Sequence, residues 1–370
     1  MRIAFDAKRI VANGTGLGSY GRTLINALSA LGTADELLLY APHEGRQELR
    51  EQVVLREQVR FVYPPKSRVP FYRQYWRTKG IVKQLKRDEI ELFHGLSGEL
   101  PVGLKAAGIK GIVTIHDLIF LRHPEYYHWI DTKIYARKFH QTLREADRII
   151  AISECTKRDI LYYGDFPEDK IDVIYQSCGT RFAEKASTAK QQQVKERYQL
   201  PDRYILFVGT IEARKNALLA VKALQQLPET LSLVIVGRET SYVKLIKDYI
   251  QQHQLEQRVQ FLHGVPNEDL PSVYQQAEAF VYPSHYEGFG IPIIEAIQSG
   301  LPVVAATGSC LEEAGGPDCL YVHPDDAEGM AKAILTAIDE RTERVARSRE
   351  YIRRFENQDV AQQVVEVYQK

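Results

Sequence analysis

Apolar and polar positions divide the whole chain into two alternating kinds of segment. Short apolar runs rich in β-branched and aromatic residues predict strands, and longer stretches with helical periodicity separate them. The predicted strands of the first half are RIAFDA, ELLLYAP, VRFVYPP, IELFHG, GIVTIHDL, RIIAIS and KIDVIYQ. Those of the second half are YILFVGT, LSLVIVG, VQFLHG, AFVYPS, LPVVAAT and CLYVHP. Because strands that alternate with helices form parallel sheets covered on both faces, the two sets predict two doubly wound α/β domains.

A polar stretch separates the two sets of strands. Residues 178–199, which include ASTAKQQQVKER, contain no predicted strand, so we interpret them as a linker that runs into the first helix of the second domain. The predicted domains span 1–177 and 200–351. The last segment, about 352–370, has apolar residues at helical spacing and predicts a C-terminal helix.

Composition excludes several classes of protein. The chain has 370 residues, 44% apolar and 26% charged, and its formal net charge is zero, which gives no reason to expect nucleic acid as a partner. No run of 18 apolar residues occurs, and the charged MRIAFDAKRI start predicts a first strand and not a signal peptide. The cysteines show no metal-binding spacing, so free thiols in a cytoplasmic protein are expected. They are Cys155, Cys178, Cys310 and Cys319.

The segment SHYEGFGIPIIEAIQSGLPVVA, residues 284–305, carries the most informative chemistry. Glu287 and Glu295 lie eight positions apart. That is roughly two helical turns, so a helix that begins early enough brings both carboxylates to one side. Glycines between them allow the backbone to approach a ligand, and Pro292 is favoured in a first helical turn. Free amides at such a helix start suit a diphosphate.

Charged residues follow two other predicted strands. Arg214 and Lys215 come after YILFV in the turn GTIEARKN, where adjacent cations can neutralise a diphosphate. We expect Lys215 to be an exposed turn residue that contributes little to stability. His116 and Asp117 follow GIVTI. Asp117 can orient His116, act on an acceptor or cap the next element, and these alternatives stay open.

The segment 284–305 resembles the E-x7-E signature of retaining GT-B glycosyltransferases, in particular glycosyltransferase family 4. The matching positions are Glu287-Gly288-Phe289-Gly290, Pro292, Glu295-Ala296, Gly300 and Pro302-Val303-Val304. The resemblance implies a GT-B fold, in which two Rossmann-like domains face a cleft and the last helix packs back onto the first domain. It also implies transfer of a hexose from a GDP- or UDP-linked sugar to a hydroxyl, with retention of configuration and no cofactor or bound metal.

The resemblance also implies roles for single residues. Lys215, then Arg214, and the amides of the Glu287–Gly290 turn would stabilise the leaving diphosphate. Glu287 would contact the donor sugar and Glu295 the ribose. His116 would hydrogen-bond the reacting sugar. Further donor-binding positions are Gly209, Gly237, Val265, Gly288, Phe289 and Gly290.

A glycine motif near the start permits another interpretation. Gly16, Gly18 and Gly21 form a literal G-x-G-x-x-G, which is typical of NAD-binding units. Strand two, however, ends in LYAP without the expected acid, so an NAD-dependent oxidoreductase is disfavoured. In the glycosyltransferase interpretation, the amides of Gly16 and Gly18 approach the donor phosphates. A flexible loop is the remaining alternative.

Residues 66–87 combine eight basic side chains with four aromatic ones and contain no acid. Such a segment can dock on an anionic membrane surface, which for a cytoplasmic protein is the inner face of the membrane. Alternatively, its aromatic side chains belong to the core and its charges are merely solvated. We therefore expect a glycosyltransferase of polysaccharide synthesis, with mannose-like donors mildly favoured and a glycan or lipid-linked acceptor. A GT-B nucleotide-sugar epimerase remains the alternative within the fold.

Overall fold

The structure of the chain is a computed structural model that describes residues 1–176, 180–356 and 360–370. Residues 1–176 and 360–370 form one compact unit, and residues 180–356 form a second. The predicted boundary at 177 and 178, and with it Cys178, lies outside the described residues.

The first unit is built on a seven-stranded parallel sheet with strand order β3-β2-β1-β4-β5-β6-β7. Its strands are β1 (Arg2–Asp6), β2 (Glu36–Tyr40), β3 (Val59–Val62), β4 (Leu92–Gly95), β5 (Lys110–Ile115), β6 (Arg148–Ala151) and β7 (Ile171–Val173). Its first helices are α1 (Lys8–Ala12), α2 (Gly16–Leu31), α3 (Gln47–Arg50), α4 (Tyr72–Tyr75) and α5 (Ile81–Arg87), with a π-helical turn at Trp76–Gly80. The others before the second unit are α6 (Leu104–Ala107), α7 (Ile119–Arg122), α8 (Trp129–Glu145) and α9 (Glu154–Tyr163).

The second unit has a six-stranded parallel sheet with strand order β10-β9-β8-β11-β12-β13. Its strands are β8 (Tyr204–Val208), β9 (Ser232–Val236), β10 (Val259–Leu262), β11 (Ala279–Tyr282), β12 (Val303–Ala306) and β13 (Leu320–Val322). Its helices are α10 (Thr188–Tyr198), α11 (Ala217–Leu224), α12 (Val243–Gln252), α13 (Leu270–Gln275), α14 (Ile291–Gln298), α15 (Leu311–Gly315), α16 (Ala327–Asp339) and α17 (Arg341–Glu356). The last helix of the chain, α18 (Val360–Gln369), belongs to the first unit.

Every predicted strand segment overlaps one of these strands, and the predicted doubly wound α/β architecture is confirmed. The apolar runs form central strands because a parallel sheet with helices on both faces buries consecutive side chains. In β12, for example, all four residues are buried.

Two predicted segments differ from the structure in detail. Half of the predicted linker is α10, which packs in the second unit because Lys190 and Arg197 pair with the buried carboxylate of Asp269, at 2.5 and 2.7 Å. The predicted C-terminal helix is two helices, α17 in the second unit and α18 in the first.

Helix α18 completes the core of the first unit. Val364, Val365 and Tyr368 are buried in the same cluster as residues of β1 and β2. The hydroxyl of Tyr368 lies 2.6 Å from Nδ1 of the buried His94 in β4, whose Nε2 lies 2.8 Å from the hydroxyl of Thr114. The last helix is therefore joined to the first sheet by apolar packing and by a buried polar contact.

Candidate functional site

The order of the second sheet reverses between β8 and β11. In open α/β sheets, ligands bind beyond the carboxyl ends of the strands at such a point. The loop after β8 carries Arg214 and Lys215, and the loop after β11 carries Glu287. The topology therefore brings the two predicted cationic residues and one predicted acid to the same edge of the sheet.

Glu287 binds both cations directly. Its Oε1 lies 2.7 Å from Nζ of Lys215, and its Oε2 lies 2.8 Å from Nη1 of Arg214. The three side chains are only 12–14% exposed. Glu212 accepts a further bond from Arg214 at 2.7 Å. In this state, two carboxylates match the two cations.

Tyr282, at the end of β11, joins the cluster and was missed by the sequence analysis. Its hydroxyl accepts a hydrogen bond from Nζ of Lys215 at 2.7 Å and donates one to Oε1 of Glu287 at 3.1 Å. Its ring centroid lies 5.0 Å from the same Nζ, within cation–π distance. The available signal was a tyrosine at the carboxyl end of a predicted core strand, where its hydroxyl can reach the site.

The electrostatics of this cluster keep it charged. Burial by itself would raise the pKa of Glu287, but Lys215 and Arg214 outweigh it and hold that pKa at about 2. Burial would likewise lower the pKa of Lys215, but Glu287 raises it above its ordinary value. The expectation that Lys215 is an exposed residue of little structural weight is therefore wrong, because its ammonium group is buried against a carboxylate.

Glu295 belongs to a different set of contacts. Helix α14 begins at Ile291, after Glu287, so one helix does not carry both acids as the spacing allowed. Glu295 accepts a hydrogen bond from the hydroxyl of Tyr274 at 3.2 Å and lies 3.7 Å from Nη2 of Arg181. Burial raises the pKa of Glu295 to about 7, and Arg181 and Tyr274 offset only part of that effect.

Cys310 contacts the backbone of the turn between Glu287 and Glu295. Its buried Sγ lies 3.0 Å from the carbonyl oxygen of Glu287 and 2.8 Å from that of Phe289. The Phe289 side chain packs edge-on against Phe355, with ring centroids 5.2 Å apart, so only its backbone remains for donor binding. Gly290 has φ 123°, a conformation that favours glycine, and Gly288 is half-buried.

Two other predicted glycine positions are explained by close packing. A Cβ on Gly237 would lie 1.9 Å from the carbonyl oxygen of Gly209, and a Cβ on Gly209 would lie 3.0 Å from the Lys215 side chain. The ends of β8 and β9 therefore approach closely beside the cluster. Val265 is half-buried after the β10 strand.

His116, in the first unit, directly follows β5 and makes two hydrogen bonds. Its Nε2 lies 2.9 Å from the carbonyl oxygen of Leu96, which can only accept, so this nitrogen carries the proton. Its Nδ1 accepts from Nε2 of Gln176 at 2.9 Å. Burial lowers the pKa of His116 to about 4, so the ring is neutral at pH 7. Both nitrogens are occupied, and a sugar hydroxyl can bind Nδ1 only in place of Gln176.

Asp117 and the first glycines have structural roles in the first unit. The Asp117 carboxylate accepts from the backbone amide of Ile119 at 3.2 Å, the capping alternative. Gly16 begins α2, so the flexible-loop alternative is wrong. The Gly18 amide donates to the carbonyl of Thr15 at 3.0 Å, which leaves it poorly suited to bind a phosphate in this state.

Two family models match the chain. Residues 189–355 match glycosyl transferases group 1, and residues 14–178 match glycosyltransferase family 4. The chain belongs to glycosyltransferase family 4. It is therefore a glycosyltransferase of the EC 2.4 class, and the predicted family and enzyme class are confirmed. The epimerase and NAD-dependent oxidoreductase alternatives are set aside.

Relatives cover most of this family 4 chain. It is 29% identical to O-antigen chain mannosyltransferase B of Escherichia coli, over 92% of its own length and 91% of that protein. It is 29% identical to the O-antigen chain mannosyltransferase RfbU of Salmonella typhimurium, over 68% and 67% of the two chains. The crystal structure of Anabaena HepE in complex with UDP matches 100% of both chains with a TM-score of 0.77 and 20% identity. That likeness concerns the fold and confirms the predicted GT-B class.

The basic segment of this glycosyltransferase, residues 66–87, is partly buried and partly exposed. Trp76 is buried, and Arg77 is 13% exposed and paired with Asp6 and Glu99. Phe71, by contrast, is 80% exposed. Part of the segment is therefore core, as one of the two alternatives expected, and docking on a membrane stays a prediction.

In the described ranges, no group of three or more His, Cys, Asp and Glu side chains is arranged to hold a metal ion. No helix among those residues has the length and apolar character needed to cross a membrane. Cys155, Cys310 and Cys319 are buried.

Proposed function

We propose that this glycosyltransferase transfers a mannose-like hexose from a nucleotide diphosphate sugar, linked to GDP or UDP, to a hydroxyl of a glycan or lipid-linked acceptor, with retention. The observation that carries the proposal is the buried Lys215–Glu287–Arg214 cluster at the switch point of the second sheet. The preference for mannose rests on the O-antigen mannosyltransferases among its relatives.

The cluster suits a leaving diphosphate. A donor that enters this edge offers phosphate oxygens to Lys215 and Arg214, whose ammonium and guanidinium groups are fixed before the reaction. As these cations bind the diphosphate, the Glu287 carboxylate is released toward the sugar hydroxyls. The exchange retains one anionic partner for each buried cation, so donor binding does not leave a charge uncompensated.

The remaining donor contacts follow from the resemblance. Glu295 accepts hydrogen bonds from the ribose hydroxyls, with Tyr274 holding its carboxylate. Amides of the Gly288–Gly290 turn point to the phosphates at the start of α14. Gly209, Gly237 and Val265 form the wall beside the base, and Gly16 offers an amide from the first unit.

His116 acts on the reacting sugar in this proposal. The neutral ring accepts a hydroxyl hydrogen at Nδ1 when the Gln176 amide leaves, while the Nε2 bond to Leu96 keeps the tautomer fixed. Retention follows a front-face route in which leaving group and acceptor lie on the same side of the sugar. Asp117 keeps the local turn in place by its cap.

Peripheral contact with an anionic membrane is a further part of the proposal. Phe71 and Tyr75 are exposed in the 66–87 segment, at 80% and 59%, close in sequence to the exposed Lys79, Lys83 and Lys86. Exposed rings and cations together suit the interface of an anionic bilayer.

A donor panel tests the function. Thermal shift and nucleotide release should be measured with GDP-mannose, UDP-hexoses and NAD, and the product anomer should be assigned by NMR. We expect one nucleotide sugar to stabilise the protein and NAD to have no effect. Stabilisation by none of the nucleotide sugars, or an inverted product, would contradict the proposal.

A further inference from the structure

A concave site lies in the first unit, lined by none of the donor-cluster residues. A cavity of about 1170 Å³ opens just beyond the carboxyl ends of β1, β2 and β3, lined there by Lys8, Pro42 and Tyr63. Parallel α/β sheets bind ligands at this edge, and the volume is slightly above the range of about 300–1,000 Å³ that is usual for small-molecule sites. Its position and size therefore fit a ligand larger than one sugar.

The charged lining of this cavity is mostly basic. Five cationic side chains face it against a single acid, Glu44; the cations are Lys8, Lys66, Arg73, Arg77 and Lys138. Because the whole protein has a net charge of zero, this imbalance is a local property of the cavity.

Only part of that charge is neutralised by the protein. Arg77 pairs with Asp6 at 2.5 Å and with Glu99 at 2.6 Å, and Lys138 pairs with Glu99 at 3.1 Å. In the part of the chain that the structure describes, no carboxylate lies within 4.0 Å of the charged nitrogens of Lys8, Lys66 or Arg73.

Lys8 is the most confined of these three cations. Burial, and after it the charge of Arg77, lowers its pKa, and the carboxylates of Glu99 and Asp6 offset only part of that effect. An anion that enters the cavity relieves both effects, since it replaces lost solvation and screens the two cations from each other.

Apolar surface surrounds the cations. Val69 and Phe71 line the cavity and are 65% and 80% exposed, and Tyr63, Pro64 and Tyr72 complete its apolar walls. A neutral glycan would leave the cations without a counter-charge. A ligand with phosphate at one end and hydrocarbon at the other would use both the cations and the apolar surface.

We propose that this cavity binds the phosphate or diphosphate of a lipid-linked acceptor, together with the first part of its apolar chain. The assignment of this ligand as the acceptor rests on the proposed function. The anchoring contacts are the side chains of Lys8 and Arg73, and the apolar chain lies along Val69 and Phe71.

The test is a set of binding titrations with defined probes on the full chain. Farnesyl diphosphate carries both features, inorganic pyrophosphate only the charge, and farnesol only the hydrocarbon. We expect farnesyl diphosphate to bind at least tenfold more tightly than either. Lys8→Ala with Arg73→Ala should weaken it by about tenfold for each charged hydrogen bond removed.

A matched control removes the same charge elsewhere in the first unit. Lys105→Ala with Arg144→Ala deletes one exposed lysine of α6 and one exposed arginine of α8, both outside the cavity lining. Farnesyl diphosphate affinity should stay within twofold of wild type. The single variant Arg73→Ala, at an exposed position, serves if the Lys8 change impairs folding.

Several results would overturn the assignment. Equal losses of farnesyl diphosphate affinity in the two double variants would show that diffuse surface charge binds the probe. Binding to anionic vesicles without any specific binding of farnesyl diphosphate would show the same. Equal affinity for pyrophosphate would show a free-phosphate site. Binding of GDP-mannose and the UDP-hexoses, measured separately by thermal shift, reports the donor site. A failure there is a failure of the proposed function and not of this cavity.

Discussion

Replacement of Lys215 by methionine tests the central cluster, because this residue has both a structural and a chemical role there. Methionine keeps the length and apolar stem and removes the ammonium group. The change deletes the bonds from Nζ to Glu287 and to Tyr282, both 2.7 Å long. Arg214 remains at 2.8 Å and keeps Glu287 paired.

The magnitude follows from those contacts. Loss of one partner of a buried ion pair costs about 3–5 kcal/mol, and loss of a hydrogen bond to a charged group costs about 1.5–3 kcal/mol. Because Arg214 still compensates the carboxylate, we expect a cost in the second of these two ranges. The free energy of unfolding should fall by about 2 kcal/mol. Turnover should fall by roughly 10²–10³, since a fixed cation at a leaving diphosphate is lost.

The assay pairs urea denaturation with nucleotide release at saturating donor. Lys244→Met is the control, because Lys244 is 82% exposed and forms a surface pair with Asp248. Such pairs contribute about 0–1 kcal/mol, so its stability and turnover should stay near wild type. If Lys215→Met unfolds within about 0.5 kcal/mol of the control and turns over within threefold of wild type, the role assigned to this buried cluster is refuted.

Three further changes address other parts of the molecule. Tyr282→Phe should lower turnover by about tenfold and leave donor affinity nearly unchanged, because it removes only the hydroxyl that positions Lys215 and Glu287. Measurements of kcat and of the donor KM check this, and an equal loss of turnover and of donor affinity would contradict it. Glu295 has a pKa raised from 4.5 to about 7, so its stabilising contribution is complete below pH 4.5 and is lost as pH rises to 7. Relative to Glu295→Gln, the free energy of unfolding of the wild type should fall by on the order of 3 kcal/mol between pH 4.5 and pH 7. If the free energies of unfolding of the two proteins change in parallel with pH, the raised pKa is refuted. Reversal of Lys79, Lys83 and Lys86 to glutamate should abolish binding to anionic vesicles in sedimentation assays while donor hydrolysis persists; wild-type protein that ignores such vesicles at low salt would favour the solvated face.

The sequence was sufficient for the architecture and for several residues of the candidate site. Strands were predictable because parallel strands are continuously apolar, and Lys215 and Glu287 were predictable because they lie in the loops after β8 and β11. Their mutual pairing was not, since it joins residues 72 positions apart across the switch point. The contact of Tyr282 with the ammonium group of Lys215 depends on the same non-local pairing.

Local patterns also failed where a partner came from elsewhere in the chain. The basic run at 66–87 has the composition of a surface, but Arg77 meets Asp6 from β1, 71 positions away, and becomes buried. The E-x7-E spacing permitted one helix, but α14 begins only at Ile291, after the turn at Gly290. In each case the sequence supplied the residue type, and tertiary contacts decided its surroundings.

The contact between Tyr368 and His94 joins residues 274 positions apart, and it has a consequence for the order in which the two units form during synthesis. The second unit is continuous in sequence, so all of its strands have emerged before residues 360–370 are made. The first unit lacks part of its core until α18 arrives. Although it is translated first, it is the later of the two to complete its native packing, and until then the surface that α18 covers is exposed to chaperones and to aggregation.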